Sequence, residues 1–130
     1  MKNVYSINII KQAYNVDDGR PRHSYENQIL LYHLDENIQK EELIRFIKAD
    51  NLEEPYEVVE GTSIQWAVAK VIDVFEVLGL EGQFDEGQEV YSRFFPDDYD
   101  LPVIIEKYFP DYVFEDAKEY TSRLIISEID

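Results

Sequence analysis

The spacing of apolar positions changes period twice along the chain, and those changes delimit its elements. Residues 3–12 (NVYSINIIKQ) alternate loosely and are rich in Val, Ile and Tyr, which predicts a strand. Asp-Asp-Gly and Pro21 break the pattern at 15–22. Residues 23–34 (HSYENQILLYHL) alternate again, with Tyr25, Asn27, Ile29, Leu31 and His33 on one face and Glu26, Gln28, Leu30 and Tyr32 on the other. The period then lengthens. Ile38, Leu43, Ile44 and Ile47 fall near helical spacing and predict a helix over 35–51, capped by Asp35 or Asn37 and stopped at Asn51.

A short strand follows Pro55 at 54–61, and the longest strand signal runs over 63–78. Its two faces are Ile64, Trp66, Val68, Lys70, Ile72, Val74 and Gln65, Ala67, Ala69, Val71, Asp73, Phe75; both are largely apolar, as in a central strand covered on each side. A glycine turn leads into a strand at 88–95, with Glu89, Tyr91 and Arg93 on one face and Val90, Ser92 and Phe94 on the other. Asp100 as N-cap, Pro102 in the first turn and Pro110 as a stop then predict a short helix. Val113, Ala117, Tyr120 and Leu124 share one helical face and predict a second helix over 112–130, with an edge strand at its end as the alternative. The expected fold class is α+β: an antiparallel sheet of about five strands (β-β-α-β-β-β) packed on one helix, with a C-terminal helical extension. The chain reads as a single domain over 1–130, a core over 1–95 with 96–130 packed on it.

Composition narrows the class. With 45% hydrophobic and 14% aromatic residues the chain carries enough apolar surface for a core, which excludes a disordered acidic tail. It has no cysteine, so disulfides, a thiolate nucleophile and Cys-based metal sites are excluded. The N-terminal residues lack the apolar run of a signal peptide, and no segment approaches 18 consecutive apolar residues. A cytoplasmic protein without a membrane partner is expected.

Charge says more. The net charge is −16, and it is uneven: residues 1–50 hold seven basic and eight acidic residues, while 51–130 hold five and twenty. Such a chain repels nucleic-acid phosphates and steers a basic protein towards itself.

The stretches YENQILLYHLDENIQKEELIRF, IQWAVAKVIDVFEV and DEGQEVYSRFF, with VYSINII at the start, resemble a bacterial family catalogued as domain of unknown function 4288, over residues 4–95. The matching positions are Tyr5, Glu26, Trp66, Asp73, Glu76, Gly87, Glu89, Val90, Tyr91, Ser92 and Arg93. Asn27 stands where that pattern commonly has a second acid, and about 35 residues extend beyond the last motif. The resemblance implies a small α+β fold and brings no activity.

The chemistry-bearing residues point the same way. Glu26, Asp73, Glu89, Tyr91 and Arg93 fall on predicted strands and suggest one structural polar network, with Arg93 paired to Asp73 or Glu26. Asp97, Asp98 and Asp100 lack the glycine and distant glutamate of a calcium loop, so helix capping and a solvated turn are expected there, with no metal. His23 and His33 lie at opposite ends of one strand and form no metal pair. No Gly-x-Ser-x-Gly, phosphate-cradling glycine loop or nucleophile–base pairing occurs, so neither catalysis nor a cofactor is expected. The expected partner-binding residues are Asp97, Asp98, Asp100, Tyr108, Asp111, Tyr112 and Glu115, acids interleaved with aromatic anchors. The expected function is a structural or regulatory interaction module with a protein partner, self-association to a homodimer included. The alternative is an immunity-type protein that blocks the active site of a basic, nuclease-like toxin with its acids.

Overall fold

The computed structural model describes residues 2–77, 84–96 and 98–116. Five strands, β1 (Lys2–Asn15), β2 (Pro21–Asp35), β3 (Tyr56–Val59), β4 (Thr62–Glu76) and β5 (Gln88–Phe94), form one sheet in the order β3-β4-β1-β2-β5. Every neighbouring pair is antiparallel. Two helices accompany it, α1 (Lys40–Asp50) and α2 (Leu101–Tyr108). The α+β class and the predicted element order stand. The sheet curls into a half-barrel.

Bulges govern which side chains face which way. Between Asn8 and Lys11 of β1, the partner β4 carries two extra residues, so the register slips twice. Each slip reverses the alternation. Val68, Val71 and Val74, three apart in sequence, therefore share one core cluster with Tyr5, Ile7, Ile9, Leu30, Tyr32 and Leu34. The regular two-face alternation expected for 63–78 is corrected on this point: a period of two holds only between bulges.

α1 lies over that cluster and buries Leu43 and Ile47 against it. Ile7, Ile9, Tyr32, Ile47, Val71 and Val74 are wholly buried, each worth about 1.5–3 kcal/mol of transfer free energy. Neither expected residue caps the helix. Gln39 holds the N-cap position without a side-chain hydrogen bond, while Asp35 Oδ1 accepts from Asn37 N–H (2.8 Å) and shapes the preceding turn. Asn51 does close the helix, its side-chain amide and its N–H both donating to the Ile47 carbonyl (2.9 and 3.1 Å).

The opposite face packs Ile10, Tyr25, Ile72 and Phe95 against Ile104 of α2. Asp100 caps α2 as expected, accepting from Val103 N–H (3.2 Å). Beyond α2 the predicted helix over 112–130 is absent from its described part. Phe114 and Glu115 instead donate their N–H groups to the Ile72 and Val71 carbonyls, which the bulge in β4 turns outward, and Phe114 plugs the α1-side core. Residues 117–130 lie outside the described residues. Among the described residues no helix is long and apolar enough to cross a membrane.

Candidate partner-binding face

α1 covers only part of the concave face. Its cluster ends on β1 at Ile9. The next concave residue of β1 is Lys11, opposite Glu26 on β2 and Val68 on β4, and Glu26 in turn lies opposite Phe94 on β5. One row thus crosses four strands and reads Phe94, Glu26, Lys11, Val68. Of these four residues only Val68 belongs to the cluster under α1.

Curvature closes this row into a shallow trough. Trp66 of β4 and Phe94 of β5 meet edge to face, with ring centroids 6.0 Å apart. The Trp66 indole N–H donates to the Tyr56 hydroxyl (2.9 Å), so β3 supplies the next part of the wall. Trp66 is buried, packed with Ala13 and Ile64, whereas Phe94 is 68% and Tyr56 48% exposed. An aromatic strip therefore crosses the open half, anchored at its middle and bare at both ends.

The charges beside the strip are unbalanced. Lys11 is buried, and its ammonium bonds Glu53 Oε2 at 2.9 Å. Glu53 reaches it because Glu53 N–H donates to the Trp66 carbonyl (3.0 Å), which ties the α1–β3 connection to the edge of β4. Glu26 is half-buried on the same row, and Glu89 on β5 accepts from the Gln28 amide (2.7 Å). Loss of water raises the Glu26 carboxyl above the ordinary carboxylate value; Glu89 pushes the same way, and Lys11 only partly offsets them. Three carboxylates thus stand beside one ammonium on a surface already partly stripped of water.

The expected polar network divides over two faces. β5 carries one extra residue between its partners Ile29 and Leu30, so Tyr91 lies opposite Ile29 and Glu89 opposite Leu30. That bulge at Val90 places Glu89 on the concave face with Glu26, and leaves Tyr91 and Arg93 on the convex face. Asp73 is convex as well, but it sits on β4, opposite Asn8 of β1, about 14 Å from β5 across the strands between. Its carboxylate accepts from Val74 N–H (3.2 Å). The expected pairing of Arg93 with Glu26 or Asp73 is corrected: the Arg93 guanidinium lies over Phe95 (4.9 Å) and Tyr108 (4.8 Å). Its Nε is buried without an acceptor among the described residues.

The expected partner-binding residues are also divided. Asp100 caps α2, Tyr108 packs between Phe95, Tyr99 and Phe109, and Glu115 pairs with Lys48 (3.2 Å) and Lys70 (3.7 Å). Asp98, Asp111 and Tyr112 are exposed, and Asp97 lies outside the described residues. His33 bonds the Glu86 carboxylate and stacks on Phe84 at 4.4 Å, a contact that fastens the approach to β5 onto β2. Among the described residues no group of His, Asp or Glu is arranged to hold a metal ion.

Sequence reasoning missed Lys11, Phe94 and Tyr56. The usable signal was Lys11 itself, a cation on the strand face that carries Tyr5, Ile7, Ile9 and Ala13, with Glu26 available across a hairpin. No protein-family model, curated protein or solved structure matches this chain.

Proposed function

We propose that this protein is a non-catalytic interaction module that takes a basic protein partner on the open half of its concave face. One observation carries the reading: Phe94, 68% exposed, stands against the buried Trp66 in a row that also holds the half-buried Glu26. A large exposed ring backed by a rigid one and ringed by acid is the composition of a hot spot for Lys or Arg. The net charge of −16 adds long-range attraction.

The resemblance to the family of unknown function remains a proposal resting on its motifs. An immunity-type role is the special case in which the partner is a nuclease-like toxin. Glu26 and Glu89 would then occupy the seats of substrate phosphates.

The test is the salt dependence of a purified complex with the partner isolated from the source cell. The reading expects a dissociation constant that rises steeply with salt and a loss of binding on replacing Glu26 and Glu89 by Gln. Self-association alone, indifferent to salt, contradicts it.

A further inference from the structure

We infer that the basic segment docks as a sixth strand, antiparallel to β5. This rests on the concave-face reading above and adds the mode of binding to it. β5 is a terminal strand of the sheet, and among the described residues no strand pairs with its outer edge. Six of its seven residues are exposed.

The backbone groups of β5 divide into two sets. Phe95 N–H donates to the Tyr25 carbonyl (3.1 Å), and pairing stays in phase through Arg93 opposite Asn27 and Tyr91 opposite Ile29. In an antiparallel ladder alternate residues bond to the same neighbour. Arg93 and Tyr91 therefore bond inward to β2, and Ser92 and Phe94 turn their N–H and C=O groups outward. The side chains of these same two residues lie on the concave face, in line with Gln28 and Glu26.

The two properties coincide. A strand added antiparallel pairs its hydrogen-bonded residues with Ser92 and Phe94, and residues so paired put their side chains on the same face as those two. That face holds the Phe94 ring and the carboxylates of Glu26 and Glu89. Lys or Arg at alternate positions of the incoming strand faces the Phe94 ring and the neighbouring Glu26, with Glu89 adding attraction from beyond the bulge, while an acidic strand meets like charge. The bulge at Val90 twists the first part of β5 away, so the docking length is short, Tyr91 to Phe94. A second copy fits poorly, because two chains of charge −16 repel and each β5 brings its own Glu89.

The probe is a short peptide of alternating Lys and Val, with an alternating Glu and Val peptide as control. Two further versions carry N-methyl groups, one on every Lys amide and one on every Val amide. Binding is followed by calorimetry, and exchange of the protein amides by NMR. The expected result is that the Lys peptide binds and the Glu peptide does not. Methylation at Lys weakens binding by about tenfold or more, methylation at Val leaves it nearly unchanged, and the Ser92 and Phe94 amides gain protection. If the Lys peptide binds but neither methylation matters and both amides exchange as before, strand addition is wrong while the basic-partner reading stands. If the Lys and Glu peptides do not differ, both fall. A dimer in sedimentation that by itself protects those two amides assigns the edge to a second copy and overturns the inference.

Discussion

Trp66 and Phe94 belong to strands separated by two others, yet their rings meet at 6.0 Å. On a flat sheet their backbones would stand about 14 Å apart. Curl brings them together, and the same curl gathers Lys11, Glu26 and Glu53 beneath them. The open half of the concave face is therefore largely a product of sheet geometry, to which the α1–β3 connection adds Glu53.

Phe94→Ala separates binding from stability. The ring is 68% exposed, so its loss should change unfolding free energy by less than about 1 kcal/mol. Partner affinity should fall about tenfold or more, the cost of removing a central aromatic anchor. Chemical denaturation and calorimetry on the same samples check both halves.

Glu26 should make stability depend on pH with an unusual sign for a carboxylate. Its folded-state pKa lies above the ordinary value of 4.5, so the folded chain holds the proton more tightly than the unfolded chain. Stability contributed at this site is present at low pH and lost as pH rises from about 4.5 through the raised folded value. Glu26→Gln should accordingly gain on the parent protein in melting temperature between pH 4 and pH 7. Thermal melts of both proteins across that range check it, and a gain in the opposite direction would show that Lys11 dominates the site.

Much of the fold was legible because apolar period and turn chemistry are local. Both helices and all five strands of the described residues were expected near their observed places, though the further helix expected over 112–130 is absent from its described part; Asp100, Pro102 and Asn51 acted as their residue types suggest. The site was less legible because its geometry depends on bulges and strand order. One extra residue at Val90 sends Glu89 to the face opposite Tyr91, and two extra residues in β4 reset Val71 and Val74. Neither slip leaves a mark in composition. Strand order was equally hidden: Asp73 and Arg93 look like partners until β1 and β2 are placed between their strands.

Arg93→Met tests how the convex face holds its guanidinium. Stacking on Phe95 and Tyr108 contributes about 0.5–2 kcal/mol, and the buried Nε, without an acceptor among the described residues, works against it. Methionine keeps the apolar stem, so the expected change in unfolding free energy is within about 1 kcal/mol. A loss of about 3 kcal/mol or more would instead reveal a buried ion pair at this position.

Gly87→Ala should destabilise the approach to β5. Gly87 has φ +81°, and an added Cβ would stand 2.8 Å from the Tyr32 hydroxyl, which is itself held by Asp50 (2.6 Å) and Asn51 (2.9 Å). The expected cost is about 1–3 kcal/mol. Combined with Tyr32→Phe the effects should be less than additive, since the second change removes the atom met first. A double-mutant cycle by urea denaturation measures the coupling.

The chain's single tryptophan lies in the middle of the proposed face, so its emission is the most direct reporter of the central claim. Titration with the alternating Lys and Val peptide should change Trp66 fluorescence saturably. The midpoint should move to higher concentration as salt is raised, and the response should be lost when Glu26 and Glu89 are both replaced by Gln. Peptide binding seen by calorimetry with Trp66 emission unaltered, and with binding abolished instead by neutralising Asp98 and Asp111, would place the working surface elsewhere and contradict the account.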